Sequence, residues 1–229
     1  MRKLIFMVCL INGCSLKVWE LLSLPNVATL EDPELNQQEG TQISPRLNLT
    51  TGYSNNYFEH SGPIPFSVDF PLARIMIRRS CCDMGINLGS SGVTESFRIS
   101  VLKHPIRLTL NPGLTQWVLP IEGPFFAGSA FLNSFVSFPV ANTNQLYLGG
   151  KFLWWISPYL STVFDHEELV SSRLMGAFVG FRIGNSGSVT PVLLEVGVLK
   201  GFWEGKNEIN PFGIATILPY AGISFPLPR

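Results

Sequence analysis

Basic side chains recur at alternating positions in short runs of this sequence, and they are its strongest candidates for chemistry. Together with one amide side chain and one acid, they form a set of candidate lumen residues: Arg46, Arg74, Arg78, Arg98, Arg107, Asn111, Lys151 and Glu195. If these side chains line a closed sheet, they could favour anions in a narrow pore, because charged rings set channel selectivity. In a barrel of eight to ten strands the interior is instead largely filled. The arginines would then pair with Glu195, Asn48, Asn111 and Asn133.

Two further clusters could carry chemistry. Asp165-His166-Glu167-Glu168 could bind a divalent cation or exchange protons, although such a run is more typical of a solvated loop. Cys81-Cys82 follows Arg78-Arg79, and adjacent cations lower the pKa of a thiol. Two cysteines alone make an incomplete zinc site, so we interpret them as turn residues, bridged or capped in an oxidising compartment.

The histidines do not assemble a catalytic pattern. His60, His104 and His166 belong to separate connections, so no Ser/His/acid or paired-carboxylate spacing can be built on them. We therefore predict that the protein is not an enzyme and that it has no cofactor and no metal site.

Composition narrows the class of protein. The 229 residues carry 16 basic and 16 acidic side chains, so bulk charge gives no reason to expect a nucleic-acid partner. Only 14% of residues are charged and 46% are apolar. This charge is too sparse to solvate the outside of a soluble barrel.

The amino terminus has the pattern of a secretory signal, with Arg2-Lys3 before a short apolar run. The run ends at Gly13-Cys14, which resembles the lipobox of bacterial lipoproteins and implies lipidation at Cys14. Ordinary signal cleavage near this position is the alternative. Beyond the signal we find no apolar segment as long as the roughly 18–20 residues that a transmembrane helix needs. We predict a signal peptide at 1–14, a periplasmic lead at 15–44 and a barrel domain at 45–229.

From residue 45 onward, polar and apolar residues alternate with a period of two, which is typical of strands. The clearest run is 106–115, where Arg107, Thr109 and Asn111 share one face. The expected strands are 45–53, 71–79, 84–89, 94–103, 105–118, 129–138, 145–157, 173–183, 189–203 and 212–225. Ten strands, with eight or twelve as alternatives, predict an all-β, antiparallel up-and-down transmembrane barrel.

The expected links between strands alternate in length, as in membrane barrels, except that the link at 89–93 is short where alternation requires a long one. Long links are expected at 53–70, 119–128, 157–172 and 203–212, and short ones at 141–144 and 185–188. An even number of strands places both chain ends in the periplasm.

The last strand carries the most specific motif, formed by Tyr220, Gly222, Phe225 and Leu227. It resembles the carboxyl-terminal signal read by the barrel-assembly machinery, and the chain as a whole is similar to small bacterial outer-membrane β-barrel proteins. That resemblance implies outer-membrane lipid and the assembly machinery as partners, and an outer-membrane location. It does not identify an extracellular ligand.

Three functions follow as hypotheses. The first is a structural or surface-binding membrane protein that acts through its long loops and conducts little. The second is a narrow, porin-like channel favouring anions. The third is a soluble periplasmic lipoprotein whose barrel holds an apolar ligand.

Overall fold

The protein is described from a computed structural model. The described residues are Ala28, Leu30, 40–43, 46–57, 60–69, 73–79, 82–89, 92–100, 106–120, 124–140, 144–157, 170–184, 191–202, 214 and 216–226. Throughout β1, β3 and β4, and at several other strand positions, only the backbone is described. Within these ranges no helix is long and apolar enough to span a bilayer.

Twelve antiparallel strand segments form one sheet. They are β1 Gly40–Ile43, β2 Arg46–Tyr57, β3 His60–Asp69, β4 Ala73–Arg79, β5 Cys82–Gly89, β6 Gly92–Ser100, β7 Arg107–Pro120, β8 Pro124–Pro139, β9 Gln145–Ser157, β10 Val170–Ile183, β11 Val192–Gly201 and β12 Ile217–Pro226. From β4 to β12 each strand pairs with the next one in the chain, which is the up-and-down topology expected.

The strand pairings close this sheet into a ring. β12 pairs with β2, β2 pairs with β3, and β1 pairs with β4. Ile43 of β1 lies opposite Ile75 of β4, and Asn48 of β2 lies opposite Asp69 of β3. Five residues separate the first members of these pairs and six separate the second members, so the two ladders have almost the same register. This near-constant register makes β1–β2 and β3–β4 the two arms of one hairpin. The twelve segments therefore occupy ten positions around the ring. The all-β, antiparallel up-and-down architecture that the sequence predicts is confirmed.

Side chains alternate between the barrel lumen and its outer surface. β12 is representative: Leu218, Tyr220 and Ser224 are buried, whereas Ile217 and Phe225 are exposed. Successive strand residues point to opposite sides of a sheet, so the buried set faces inward. The exposed large apolar residues include Met84, Phe97, Leu114, Leu132, Leu148, Met175, Val179, Leu194, Val196 and Val198. The outside is apolar, and much of the inside is polar.

The two ends of the barrel differ. Gly40 of β1 and Pro226 of β12 lie at one end, which we call the terminal end. The opposite end carries the two longest connections, from Ser157 to Val170 and from Gly201 to Ile217, and we call it the long-link end.

The predictions of long links at 53–70 and 119–128 are wrong, because strands cover most of both ranges. The predicted loop at 53–70 is instead the hairpin of β2 and β3, and β7 and β8 extend so far that only 121–123 separate them. Pro63 and Pro65 are unusual in a strand because proline cannot donate to a ladder. Pro63 lies in register opposite Tyr53, whereas Pro65 falls at a register shift between the pairs Gly52–Ile64 and Thr50–Ser67.

The barrel also begins earlier than residue 45. β1, at Gly40–Ile43, lies inside the predicted lead 15–44 and pairs with Ile75–Arg78. The alternating signal is weak there because β1 has only four residues. The ladder with β4 is a tertiary contact that local pattern does not reveal.

Candidate functional site in the barrel lumen

A carboxylate at the centre of the lumen organises the polar contacts. Glu195 of β11 is 1% exposed. In the register it lies between Gly180 of β10 and Gly222 of β12. Neither glycine has a side chain, so the positions on both sides of the carboxylate are open to groups from elsewhere in the chain.

Three donors occupy this space around Glu195. Lys151 Nζ lies 3.3 Å from Oε1 and forms a salt bridge with it. The Tyr220 hydroxyl donates to the same oxygen at 2.9 Å. The main-chain N–H of Leu30 donates to Oε2 at 3.2 Å. Both carboxylate oxygens thus have partners, as the burial of a polar group requires.

Lys151 is held between aromatic rings as well as against the acid. Its Nζ lies 5.4 Å from the ring centroid of Phe178 and 5.2 Å from that of Tyr220. Aromatic faces attract cations, and this attraction strengthens where water is excluded. The ammonium therefore has an acid and two rings in place of its hydration shell.

Two described residues of the amino-terminal lead, Ala28 and Leu30, lie in the lumen at this point. Ala28 and Leu30 are buried, and Leu30 has a φ of 41°, in the left-handed region that a leucine rarely adopts. A Cβ placed on Gly222 would lie 2.6 Å from the Cβ of Ala28 and 3.2 Å from Leu30 Cδ1. Ala28 and Leu30 thus pack directly against the backbone of Gly222, where a side chain would clash with them.

Aromatic rings fill the lumen by lying over glycines. Four inward-facing aromatics are directly opposite a glycine on the neighbouring strand: Phe131 and Gly113, Phe135 and Gly149, Tyr147 and Gly180, and Tyr220 and Gly197. A Cβ at any of these glycines would clash with its aromatic partner. Tyr147 passes over Gly180 to donate to the Leu194 carbonyl at 3.2 Å.

These rings also contact one another. Phe135, Tyr147 and Phe178 form a triad with centroid separations of 5.8, 6.3 and 6.2 Å. Tilted and edge-on rings at such spacings attract each other. The interior therefore contains an apolar layer that the polar pattern of the strands did not predict, with buried leucines beside it: Leu153, Leu174, Leu193, Leu199 and Leu218.

The residues predicted to line the lumen differ in burial and in whether their side chains are described. Arg46, Arg98, Asn111, Lys151 and Glu195 are buried, and Arg107 is half-buried. Arg74 and Arg78 lie in β4, where side chains are outside the described set. Glu195 bonds to Lys151 and Tyr220, whereas Arg46 donates to Ser224 Oγ at 2.7 Å and to the Pro191 carbonyl near the terminal end.

Residues of the other predicted motifs are separated by the fold. Tyr220 and Gly222 face the lumen, and Phe225 faces outward. Leu227, Cys14, Cys81 and the run 165–168 lie outside the described residues, and Cys82 is half-buried at the start of β5. Among the described residues no group of His, Cys, Asp and Glu could hold a metal ion.

Several lumen residues were not predicted as site residues. Ala28, Leu30, Tyr147 and Gly180 meet the site only because the barrel brings β9, β10, β11 and the lead together. The one usable signal was the frequency of glycine at inward-facing positions. It indicates close approach but does not identify the partner.

Comparisons with known proteins add little. No family model and no curated protein matches the sequence. Among solved structures, the crystal structure of Neisserial surface protein A matches with a TM-score of 0.35 and 10% sequence identity, covering 82% of this chain and 100% of that one. The description of the site therefore depends on this chain's own strand pairings and contacts.

Proposed function

We propose that the protein is an integral outer-membrane β-barrel whose lumen is closed, and that it acts through the surfaces at its ends. The observation that carries this proposal is the inside-out distribution of side chains around a closed ring of strands. Charged and polar groups are buried in the lumen, and large apolar residues are exposed. A soluble barrel that holds an apolar ligand would have the reverse arrangement.

The dimensions support a membrane location. On β10 the outward-facing residues from Met175 to Ile183 are all apolar. At about 3.4 Å per residue and a tilt of about 40°, this run covers roughly 20 Å of barrel height, close to the ~25 Å apolar band of membrane barrels. The described outward-facing charges, Glu95, Arg173 and Lys200, lie near the long-link end.

A charge placed on the outer surface tests the proposal. Val196 is 53% exposed at the middle of β11, and Ile217 is 47% exposed at the long-link end of β12. In lipid, Val196→Arg is expected to lower the free energy of unfolding by about 2–4 kcal/mol, and Ile217→Arg by about 0–1 kcal/mol. The measurement is urea unfolding from vesicles. If Val196→Arg is as mild as Ile217→Arg, the outer surface faces water and the proposal fails.

We further propose that the lead closes the lumen from the terminal end. The support is the packing of Ala28 and Leu30 on Gly222 and the hydrogen bond from Leu30 to Glu195. Together with the aromatic layer, this contact leaves little room for ions. The full chain is therefore expected to show negligible conductance in planar bilayers.

An anion-favouring pore is the second candidate. The observation that favours it is the charge of the lumen: the fully buried charged residues that the structure describes are Arg46, Arg98, Lys151, Arg182 and Glu195. If the lead leaves the lumen, the remaining excess of cations would favour anions. Anion-selective current steps in the full chain, absent from a variant with the lead locked in place, would establish this candidate over the closed barrel.

Lipidation at Cys14 and recognition by the barrel-assembly machinery complete the proposal. Both follow from sequence resemblance. Metabolic labelling with a radioactive fatty acid, compared between the natural chain and Cys14→Ser, tests lipidation directly.

A further inference from the structure

Two cations lie among aromatic rings on the outer surface of the barrel. Arg173 and Lys200 face outward near the long-link end of β10 and β11, and Phe152, Trp154 and Phe202 lie on the same outer face beside them. We call these five residues the basic-aromatic patch. It spans three neighbouring strands, β9, β10 and the end of β11.

The backbone register brings the two cations together. Arg173 lies opposite Trp154, and its Cζ is 5.2 Å from the centroid of that ring. Lys200 lies opposite Met175, two residues from Arg173 on the same face. Diagonal neighbours of this kind are about 7–8 Å apart, a distance that two long side chains can close on one ligand.

Phe202, an aromatic residue of the patch, contacts both β10 and β9. The main-chain N–H of Phe202 donates to the Arg173 carbonyl at 3.2 Å, which continues the ladder beyond β11. The ring of Phe202 reaches across β10 to Phe152, with centroids 5.7 Å apart. Membrane barrels carry girdles of aromatic residues at both interfaces, and Trp154 is the member of the patch whose residue type prefers that level.

The charge of the patch is uniform. Of the outward-facing side chains that the structure describes, the charged ones are Arg173, Lys200 and Glu95. Glu95 is on β6, four strand positions around the ring from β10, or roughly 19 Å away along the sheet. The two cations are therefore well separated from that acid.

Immediately below the patch, toward the middle of the barrel, the surface is apolar. Met175, Val198 and Val196 are exposed there. Positive charge directly above an apolar surface matches the layout of a lipid, whose anionic headgroup lies above its acyl chains.

We infer that the basic-aromatic patch binds an anionic membrane lipid through its headgroup phosphate. Arg173 offers a planar fork of donors that fits phosphate oxygens, and Lys200 adds a second charge. Trp154 orients the Arg173 guanidinium by stacking. The acyl chains lie along Met175 and Val198. This inference rests on the membrane location proposed above.

Native mass spectrometry of the full chain in detergent tests the inference. The delipidated protein is titrated with dioleoyl phosphatidylglycerol, with dioleoyl phosphatidylcholine, and with inorganic phosphate as a competitor. The natural chain should retain phosphatidylglycerol in preference to phosphatidylcholine. Arg173→Gln with Lys200→Gln should weaken phosphatidylglycerol binding about 30-fold, and Lys200→Gln alone about fivefold. Glu95→Gln, a charge change at the same level of the barrel, should leave binding unchanged.

Each contrary outcome is distinct. Equal binding by the double variant and the natural chain, or equal retention of the two lipids, overturns the inference. Competition by millimolar inorganic phosphate means that the patch recognises free phosphate and not lipid. Heat-modifiable migration on gels checks that each variant is folded, and the single Lys200→Gln variant serves if the double one is not. A chain that stays soluble without detergent and retains no lipid contradicts the membrane location itself.

Discussion

The main-chain N–H of Leu30 donates a hydrogen bond to Oε2 of Glu195, joining residues 165 positions apart in the chain. The other oxygen of the same carboxylate accepts from Tyr220 and pairs with Lys151. One acid therefore connects the lead, β9, β11 and β12 inside the lumen. The contacts of Ala28 and Leu30 in the lumen are therefore tied to the salt bridge that joins β9 and β11.

Removing only the negative charge of Glu195 should lower the free energy of unfolding more than removing both charges of the Lys151–Glu195 salt bridge. Glu195→Gln leaves Lys151 buried without its counter-ion, so we expect a loss of about 3–5 kcal/mol in the free energy of unfolding. The double variant Lys151→Met with Glu195→Gln should be more stable than Glu195→Gln alone, because it buries no unpaired charge. Urea unfolding from vesicles measures both. Equal losses in the two variants would show that the salt bridge is not what Glu195 contributes.

A methyl group at Gly180 should displace Tyr147. The Tyr147 ring lies over this glycine and occupies the position of a Cβ, so Gly180→Ala should cost about 1–3 kcal/mol of stability through overpacking. Gly150 is the matched control. It is exposed on β9, and the nearest atom to its Cβ position is 3.7 Å away. Gly150→Ala should change stability by no more than about 0.5 kcal/mol, measured by the same unfolding experiment.

The position of the lead can be locked by a disulfide. A Cβ at Gly222 would lie 2.6 Å from the Cβ of Ala28, whereas the two Cβ atoms of a disulfide are about 3.5–4.5 Å apart. Ala28→Cys with Gly222→Cys should therefore form a bridge in the folded barrel after Ala28 moves back by about 1 Å. The bridge is detected as a shift in gel mobility under oxidising conditions in a background without the natural cysteines. A control pair, Ala28→Cys with Ala221→Cys, should not form a bridge, because Ala221 is exposed on the outer surface. Failure of the first pair to bridge, together with a Gly222→Ala variant as stable as Gly150→Ala, would mean that Ala28 does not pack on Gly222.

We expect the long-link end to face outside the cell and the terminal end to face the periplasm, because membrane barrels carry their longer loops on the extracellular side. Residue 166 lies between β9 and β10 at the long-link end, and residue 186 lies between β10 and β11 at the terminal end. With His166→Cys and Ser186→Cys made separately, a membrane-impermeant maleimide should label position 166 in intact cells and position 186 only after lysis. Labelling of position 186 alone in intact cells would reverse the orientation. Labelling of neither would contradict exposure of the long-link end.

Most of the strands could be predicted because inward and outward residues differ in polarity. In β7, Thr109 and Asn111 alternate with Leu108 and Leu110, and the structure buries the polar pair. The same signal placed Arg98, Lys151 and Glu195 on inward faces. It missed β3 because Pro63 and Pro65 interrupt the pattern, and the register shift at Pro65 is visible only in the ladder.

The contents of the lumen could not be predicted in the same way. The sequence alone determined the strand-rich architecture, the apolar outer surface and the inward polar face, since these depend on local alternation and on composition. The tertiary structure decided that Tyr147 lies over Gly180, that Lys151 meets Glu195, and that Leu30 closes the site. Those contacts depend on the register between strands and on where the lead folds back. A shift of one residue would move each of these side chains to the opposite face of the sheet.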